Sequence, residues 1–482
     1  MNIGSLPARH GCYRPDHPAF VLPTARFSFR EFNRRTARLA TAFRRAGVHR
    51  GDRIATLLPN GSAIYEVYWA AARIGAATVP LSTLLRETAR ATLLADAQPA
   101  LVVDDPRQVD DWLAAVPESA ASPAAIDVRA DDLFNIMYSS GTTGTPKGIA
   151  LTYAIRAHYC TLFASAWRMA PESIVLHAGS LVFNGAFVTM LPAMYLGATF
   201  VLLPQFDPEV LIETIERERV THIMLVPSQI VALLNAAGFD PGRLASLEML
   251  GSVGAPLLRE YRDRLVAALP GRCYELYGLT EGFVTVLDRD DFARKRDSVG
   301  VPLTFSSMRI VGPDGTDKTS GEVGEIVGAS PLLTPGYYGR PDLTAKAIVD
   351  GWLFTGDLGY MDGEGFLHLV DRQKDMIVSG AVNVYPRDIE EVAATHPGVK
   401  EAAVFGVPDE RWGEVPIAAV ILRGGEAVSS DALKEWINAR VGAAYQRVRS
   451  VVIVDEFPRS TAGKTLKREL RAPYWAGRET RI

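Results

Sequence analysis

The amino-acid sequence predicts an α/β fold: a large N-terminal domain of mostly parallel sheets covered by helices, a small barrel-like layer, and a small α+β C-terminal domain. Three observations predict this class. Short apolar segments alternate with amphipathic segments before about Gly300, glycines become frequent after it, and a polar stretch from Asp371 to Asp375 separates two apolar runs. The length of 482 residues also exceeds one ordinary core, so two or more domains are expected.

Short apolar stretches that end in turn residues predict buried strands. They are RIATLLP near Ile54, ALVVDD near Val102, ATFVLLP near Val201, HIMLVP near Leu225 and LEMLG near Leu250. The segment FDPEVLIETIERERV predicts a helix, with Asp207 as the N-cap, Pro208 at the first helical position, and Leu211 and Ile215 one turn apart. Strand, helix and strand in repetition favour mostly parallel sheets covered by helices.

The chain changes in character after about Gly300, where stretches such as VGPDGTDKTSGEVGEIVG separate shorter strands. Such strands favour a small barrel or hairpin layer. The polar segment in VDRQKDMIVSG then predicts a linker, and we place the domain boundary at Lys374. The predicted domains are 1–373 and 374–482, and the second has a normal size for a small α+β domain.

The composition is ordinary for a globular protein, with 48% hydrophobic and 22% charged residues. The net charge of −4 predicts no nucleic-acid partner, and no apolar run predicts a membrane span. The first residues lack the pattern of a secretory signal, and three scattered cysteines predict no disulfide framework. We expect a cytoplasmic enzyme or binding protein, as a monomer or homodimer.

The stretch YSSGTTGTPKG, from Tyr138 to Gly148, predicts a loop that binds a triphosphate. Glycines after an apolar strand let backbone N–H groups approach an anion, hydroxyls donate hydrogen bonds, and Lys147 supplies a point charge. The contributing residues are Gly141, Gly144 and Gly148, with the hydroxyls of Ser139, Ser140, Thr142, Thr143 and Thr145. A turn-rich surface loop is the alternative, but Pro146 and Lys147 inside the run favour a phosphate loop.

Spacing disfavours three other classes of enzyme. The one Gly-Lys-Thr, at Gly463, has Pro458 where a Walker A loop needs glycine. The stretch LGSVG carries Leu250 where the first glycine of a hydrolase elbow should stand. The eight histidines show neither HExxH nor HxH, which argues against a zinc hydrolase.

The glycine-rich stretch resembles the signature of the adenylate-forming superfamily: acyl-CoA synthetases, adenylation domains of peptide synthetases, and luciferases. Further motifs in the family's order extend the resemblance over nearly the whole chain. They are GSVGAPL (251–257), YELYGLTEG (274–282), WLFTGDLG (352–359), VDRQKDMIVSG (370–380), GVPDERWGE (406–414) and PRSTAGKTLKREL (458–470). The resemblance implies that an acid and ATP form an acyl-adenylate with release of pyrophosphate, after which the thiol of coenzyme A takes the acyl group. It also implies Mg²⁺ as a cofactor and a mobile C-terminal domain.

The resemblance implies four catalytic residues. Lys147 and the glycine-rich loop would hold the β- and γ-phosphates, and Thr280 would contact the phosphate that becomes AMP. Glu281 in YGLTE resembles the magnesium ligand, a hard oxygen donor suited to that ion. Lys464 in PRSTAGK resembles the lysine that bridges the acid and the α-phosphate, where a cation offsets developing negative charge. An exposed lysine in a basic run is the alternative for Lys464.

The same motifs imply the nucleotide site. Tyr277 would offer an aromatic face to adenine opposite Val253–Pro256, although core packing is an alternative. Asp357 in FTGD and Arg372 resemble the residues that contact the ribose. The expected set is Ser139, Ser140, Gly141, Thr142, Thr143, Gly144, Gly254, Ala255, Pro256, Glu275, Tyr277, Gly278, Thr280, Asp357 and Arg372.

Lys374 matches the hinge about which the small domain rotates in the family. The following loop, SGAVN, departs at Ala381 and Val382 from the family's usual Ser-Gly-Gly-Glu-Asn. The resemblance implies that Gly380 and Ala381 line the tunnel for the pantetheine arm of coenzyme A. The departure therefore leaves a carrier protein or another nucleophile open as the acceptor.

The acid pocket is expected between SLVFNGAF and YGLTEGF. Phe183 stands where many relatives carry a histidine, and an aromatic residue there occurs in aryl-CoA ligases. Asn184 offers no carboxylate to an ammonium group, so the expected substrate is a non-amino organic acid, aromatic or medium-chain aliphatic. The expected lining residues are Phe183, Asn184, Phe187, Gly251, Ser252, Gly278, Leu279 and Phe283.

Three functions remain open on the sequence. An acid–CoA ligase is favoured, because VNVYPRDIEEV resembles these enzymes. A stand-alone adenylating enzyme that loads a carrier protein or another nucleophile is the alternative. A non-catalytic nucleotide-binding relative is disfavoured, because Lys464, Glu281 and Asp357 are all present.

Overall fold

The computed structural model describes residues 2–119, 126–139, 147–372, 375–379, 382–409, 411–424, 428–459 and 465–476. The packing of the chain divides it into two compact units. Unit 1 comprises Met1–Met308 and Gly328–Leu353, and unit 2 comprises Arg309–Val327 and Phe354–Ile482. Lys374 lies outside the described residues, so the domain boundary there stays a prediction.

Unit 1 alternates strands with helices along the chain. Its strands are β1 (Pro18–Leu22), β2 (Ala25–Ser28), β3 (Arg53–Thr56), β4 (Ala77–Pro80), β5 (Leu101–Val103), β6 (Leu133–Ser139), β7 (Lys147–Thr152), β8 (Ile174–His177), β9 (Thr199–Leu202), β10 (His222–Leu225), β11 (Met249–Val253), β12 (Cys273–Gly278), β13 (Val284–Leu287) and β14 (Val301–Pro302). Its helices are α1 (Leu6–Tyr13), α2 (Phe29–Arg45), α3 (Ser62–Arg73), α4 (Glu87–Ala97), α5 (Pro106–Ala115), α6 (Tyr153–Ala166), α7 (Phe187–Leu196), α8 (Pro208–Glu218), α9 (Pro227–Leu234), α10 (Arg259–Ala268) and α11 (Pro341–Ala347). No helix in the described part of the chain is long and apolar enough to cross a membrane.

Two mostly parallel sheets organise unit 1, as the sequence predicts. Within the described residues, the larger sheet has the order β14-β13-β12-β11-β10-β8-β9-β1-β2. Its central strands, from β12 to β1, pair in parallel, and the strands at both edges pair antiparallel. The smaller sheet has the order β5-β3-β4-β6-β7 and is parallel except for the β6–β7 hairpin. Helices bury the apolar side chains of these strands.

The predicted elements of unit 1 are confirmed. The five predicted strands are β3, β5, β9, β10 and β11, and the predicted helix is α8. Asp207 caps α8, because its carboxylate accepts hydrogen bonds from the backbone N–H groups of Glu209 and Val210 at 2.9 and 3.0 Å. Leu211 and Ile215 are fully buried, so the apolar stripe of the helix faces the core.

The parallel strands β10, β11 and β12 bring the ends of three segments to one edge of the larger sheet. Leu225 pairs with Ser252, and Ser252 pairs with Glu275. The residues that follow β11, from Gly254, and β12, from Leu279, therefore leave the sheet side by side. Ligands bind outside the carboxyl ends of strands in sheets of this kind.

Two further sheets follow in the chain. One contains β15 (Ser307–Val311), β16 (Gly324–Ala329), β17 (Ile348–Val349), β18 (Trp352–Met361) and β19 (Leu367–Arg372), in the order β15-β16-β18-β17 with β19 paired to β18. The other contains β20 (Ile377–Ser379), β21 (Val382–Val384), β22 (Val399–Asp409), β23 (Gly413–Leu422) and β24 (Val451–Ile453), in the order β21-β20-β23-β22 with β24 paired to β23. The first is the glycine-rich layer that the sequence predicts after Gly300.

Helices α12 (Pro386–Ala394), α13 (Ser430–Asn438) and α14 (Lys467–Trp475) complete the C-terminal part of unit 2. Ile389 on α12 and Leu433 on α13 are fully buried in one cluster with Val404 and Val420 of the sheet. Helices packed beside a largely antiparallel sheet form the α+β arrangement that the sequence predicts.

His177, at the end of β8, makes the stability of unit 1 depend on pH. Burial lowers the pKa of His177 to about 4, well below its ordinary value. The unfolded chain therefore binds this proton near pH 6.5 and the folded chain only near pH 4, so stability falls as the pH drops through this window. Between pH 7 and 4.5 we expect His177 to cost about 2–3 kcal/mol of unfolding free energy.

Urea unfolding at both pH values, for the natural protein and for His177→Gln, measures this contribution. The variant should lose less stability on acidification, while the other buried histidines, His10 and His222, contribute equally to both proteins. Equal losses would show that His177 is protonated as readily in the folded chain as in the unfolded one.

Candidate active site

The β6–β7 hairpin places Lys147 directly after the glycine-rich loop. Ser139 and Lys147 face each other in the antiparallel register of the two strands. The loop residues predicted to bind phosphate (Ser140, Gly141, Thr142, Thr143, Gly144 and Thr145) lie outside the described residues, and for Ser139 only the backbone is described. The strand that precedes the loop is confirmed as β6.

Tyr337 joins Lys147 to Glu281. The Lys147 ammonium lies 4.9 Å from the centroid of the Tyr337 ring, and the Tyr337 hydroxyl donates a 2.9 Å hydrogen bond to Glu281 Oε1. Burial and the negative charge of Glu281 raise the pKa of the Tyr337 hydroxyl, so it stays a hydrogen-bond donor at neutral pH. One tyrosine thus contacts both the cation and the carboxylate that the sequence assigns to catalysis.

The segment that carries Tyr337 is attached to β7. Tyr337 forms an antiparallel bridge with Ile149, and the Tyr338 N–H donates to the carbonyl oxygen of Gly148 at 2.7 Å. The Thr334 hydroxyl donates to the carbonyl oxygen of Ala150 at 2.5 Å. The tyrosine ring is therefore held beside Lys147 by backbone as well as side-chain contacts.

Glu281 lies in the tight turn between β12 and β13. The Thr334 N–H donates to the Glu281 carbonyl oxygen at 2.7 Å, and the Gly282 N–H donates to Leu279 at 3.0 Å. Gly282 has φ +118°, and a Cβ there would lie 2.0 Å from the Leu332 carbonyl oxygen, so only glycine fits. The turn thus fixes the backbone on both sides of the carboxylate. Thr280, partly buried, precedes Glu281 in this turn.

The predicted adenine walls follow adjacent parallel strands. Gly254, Ala255 and Pro256 are exposed residues directly after β11, and Tyr277 and Gly278 end β12. Register pairs across β11 and β12 bring the two segments to the same sheet edge. The structure thus places these residues as neighbours, and their contact with adenine stays a prediction.

Glu275 has an internal partner. Its buried carboxylate forms an ion pair with Arg262 of α10, and the Arg262 guanidinium lies 4.4 Å from the centroid of the Phe292 ring. The sequence assigns Glu275 to the nucleotide site. The structure places its side chain inside unit 1, where it neutralises a buried arginine.

The predicted acid-pocket residues fall into two groups. Phe183 directly precedes the short 3-10 turn Asn184–Ala186, and both Phe183 and Asn184 are partly buried. The side-chain amide of Asn184 donates a hydrogen bond to the Tyr159 hydroxyl at 3.0 Å. Phe187 is fully buried at the start of α7, stacked on Tyr68 at 5.7 Å.

The second group lies on the sheet. Gly251 is so close to Met224 that a Cβ would lie 2.5 Å from its sulfur, and Ser252 is fully buried. Phe283 is fully buried with its ring against Gly328, while Gly278 and Leu279 are more exposed. Phe283 and Gly251 are thus packed in the interior.

Unit 2 contains the predicted ribose contacts. Asp357 and Arg372 face each other in the β18–β19 register and form an ion pair at 3.1 Å. The Gly356 N–H donates to Glu325 at 2.9 Å, and the Asp357 N–H donates to the Thr355 hydroxyl oxygen at 3.1 Å. The structure therefore brings together two residues that are separated in the sequence, and these hydrogen bonds hold strand β18 next to Asp357.

Four predicted site residues of unit 2 (Lys374, Gly380, Ala381 and Lys464) lie outside the described residues. The described chain resumes at Thr465, directly after Lys464. There the Lys467 ammonium lies 2.7 Å from the Glu390 carboxylate. Burial raises the pKa of Glu390, and Lys467 opposes that rise. This partly buried ion pair ties α14 to α12.

Family models match most of the chain. The model described as AMP-binding enzyme matches residues 8–338, and that described as AMP-binding enzyme C-terminal domain matches residues 388–464. The chain belongs to the AMP-binding enzyme family, within the adenylate-forming superfamily. The predicted family is thus confirmed.

Two similar proteins carry the names of acid–CoA ligases. A feruloyl-CoA synthase from Amycolatopsis sp is 37% identical, over 98% of this chain and 99% of the relative. The long-chain-fatty-acid–CoA ligase FadD13 from Mycobacterium tuberculosis is 32% identical, over 98% of this chain and 99% of the relative. The crystal structure of ATP-bound MatB from Rhodopseudomonas palustris aligns with a TM-score of 0.90 at 29% identity, over 98% of this chain and 99% of that one. These likenesses support AMP-forming acid–CoA ligase activity that uses ATP.

Sequence reasoning missed three residues that contact the predicted site residues. Tyr337 stands in TPGYYGR, where an aromatic pair after a glycine is only a weak sign of a functional residue. Nothing in the sequence connects this tyrosine to Glu281. Tyr159 and Arg156 stand in the helical stretch YAIRAHYCTLF, where an arginine among apolar residues was a signal for a buried charge.

Proposed function

We propose that the protein joins an aromatic carboxylic acid to coenzyme A in two steps. The acid first attacks ATP to give an acyl-adenylate and pyrophosphate, and the thiol of coenzyme A then displaces AMP to give a thioester. The observation that carries the proposal is the contact of one tyrosine, Tyr337, with both Lys147 and Glu281. An aromatic acid is favoured by the rings of Phe183, Tyr159 and Phe187 and by the feruloyl-CoA synthase relative.

The charges in this site suit a reaction between two anions. Lys147 neutralises phosphate charge, so that the acid carboxylate can approach the α-phosphate. The Tyr337 hydroxyl orients the Glu281 carboxylate through Oε1 and leaves Oε2 for another partner. A single carboxylate together with phosphate oxygens is a donor set that suits Mg²⁺, so Glu281 would hold this ion. When bound, Mg²⁺ supplies further charge neutralisation on the phosphates.

Pyrophosphate release with a panel of acids tests the proposal. The panel contains ferulate, indoleacetate and decanoate, each with and without coenzyme A. We expect acid-dependent pyrophosphate release, multiple turnovers only with coenzyme A, and a preference for the aromatic acids. An acyl-adenylate that forms but does not react with coenzyme A would favour a carrier protein or another nucleophile. Release that does not depend on any acid would refute the function.

Replacement of Phe183 by alanine should change the order in which acids are preferred. The ring is partly buried at the predicted pocket, so its loss enlarges the site and should favour bulkier acids. The measurement is kcat/KM for the three acids. Phe43→Ala is the control, because Phe43 on α2 is fully buried, is not an expected pocket residue, and its truncation should cost about 3–5 kcal/mol of stability. Equal losses for all acids with Phe183→Ala would indicate damage to the fold.

A further inference from the structure

Arg156, on α6, is a fully buried cation. Its Nε donates to the side-chain oxygen of Asn135 at 3.0 Å, and the guanidinium lies 4.5 Å from the ring centroid of Tyr159 and 4.3 Å from that of Phe187. The two terminal nitrogens, Nη1 and Nη2, are buried and have no hydrogen-bond partner among the described residues. Aromatic faces stabilise the charge only partly.

No carboxylate of unit 1 balances this charge. Every aspartate and glutamate of residues 1–308 and 328–353 lies in the described part of the chain, and none of them forms an ion pair with Arg156. Burial lowers the pKa of Arg156 to about 10, so the group is still protonated at neutral pH. An unpaired buried cation destabilises a fold.

Another buried arginine of unit 1 shows the contrast. Arg262 is also almost fully buried and lies against an aromatic ring, but Glu275 forms an ion pair with it. The two arginines therefore differ in one respect that matters here, the presence of a carboxylate partner. The carboxylate that pairs with Arg262 is a residue of the protein itself, Glu275.

Arg156 lies behind the predicted acid pocket. It contacts Phe187 directly, and it contacts Tyr159, whose hydroxyl accepts a hydrogen bond from Asn184 at 3.0 Å. The side-chain oxygen of Asn184 is buried and has no partner among the described residues. Phe187 and Asn184 are both expected pocket residues, so a single layer of side chains would separate the positive charge from an acid bound there.

We propose that Arg156 is a specificity-determining residue whose buried positive charge is balanced by the ionised acid substrate. This inference rests on the proposed function. In a low-dielectric interior the field of an unpaired charge reaches beyond its contact neighbours, so it favours an anion over a neutral molecule of the same shape. Arg156 itself does not touch the acid; it acts through the field that it sets up behind Tyr159 and Phe187.

The test uses Arg156→Met, Arg156→Lys and Arg262→Met in the full chain. Methionine has an unbranched side chain without a charge, whereas lysine keeps the positive charge of the arginine. Urea unfolding measures stability without ligand. Dissociation constants are then measured, in the presence of a non-hydrolysable ATP analogue, for the panel acid that drives the fastest pyrophosphate release and for its primary amide.

We expect Arg156→Met to be at least as stable as the natural protein, and Arg262→Met to be clearly less stable because it leaves Glu275 buried and unpaired. The natural protein should prefer the acid to the amide, and Arg156→Met should reduce this preference about tenfold. Arg156→Lys should keep it within about twofold.

Three results would overturn the inference. A loss of stability in Arg156→Met as large as that in Arg262→Met would show that the charge serves the fold. An unchanged preference for the acid over the amide in Arg156→Met would refute the inference alone, since the acids would still be substrates. A natural protein that releases no pyrophosphate with any acid would refute the proposed function and this inference together.

Discussion

Replacement of Lys464 by alanine is expected to slow acyl-adenylate formation by about 10²–10³-fold, comparable to the loss of one oxyanion-stabilising donor. We propose that the Lys464 ammonium offsets the negative charge that develops between the acid and the α-phosphate. Thioester formation from preformed acyl-adenylate and coenzyme A should remain nearly intact, because the family resemblance implies that the small domain then presents another face. Both rates are measured on one purified variant.

Lys467→Ala is the matched control for this experiment. Lys467 stands three positions later and neutralises the partly buried Glu390 carboxylate at 2.7 Å, so its removal leaves that carboxylate without its cation. We expect this variant to lose stability and to slow both half-reactions together. Equal losses in both steps with Lys464→Ala, or equal retention, would contradict the proposed alternation of the small domain.

Replacement of Glu281 by glutamine is expected to slow acid-dependent exchange of pyrophosphate into ATP by about 10²-fold or more. The amide removes the negative charge that would hold Mg²⁺, but its oxygen can still accept the hydrogen bond from Tyr337, so the fold should stay intact. The Mg²⁺ concentration needed for half-maximal exchange should also rise. An unchanged exchange rate would remove Glu281 from the site.

Tyr337→Phe tests the orientation of the Glu281 carboxylate without changing its charge. Phenylalanine keeps the ring beside Lys147 and removes the hydroxyl that donates to Glu281. Loss of one such hydrogen bond costs about 1 kcal/mol, so we expect a reduction of about tenfold or less, with a small change in stability. A loss as large as that of Glu281→Gln would indicate that the Tyr337 hydroxyl contacts the substrate itself.

Local sequence signals predicted the elements of the fold well. The cap at Asp207, the apolar stripe of Leu211 and Ile215 and the short apolar strands all depend on neighbours within a few residues, and all are confirmed. The ribose pair was predicted from two motifs, and strand register brings Asp357 opposite Arg372.

The sequence by itself determined the α/β class, five of the buried strands, the helix that begins after Asp207, the family, and the residues that stand in its motifs. Only the tertiary structure decided that Tyr337 joins Lys147 to Glu281, that Glu275 neutralises Arg262 inside the protein, and that Arg156 has no carboxylate partner in unit 1. The physical reason is the range of the interactions. Caps and amphipathic periods are set by residues close in sequence, whereas the balance of a buried charge depends on side chains that folding brings together from distant segments.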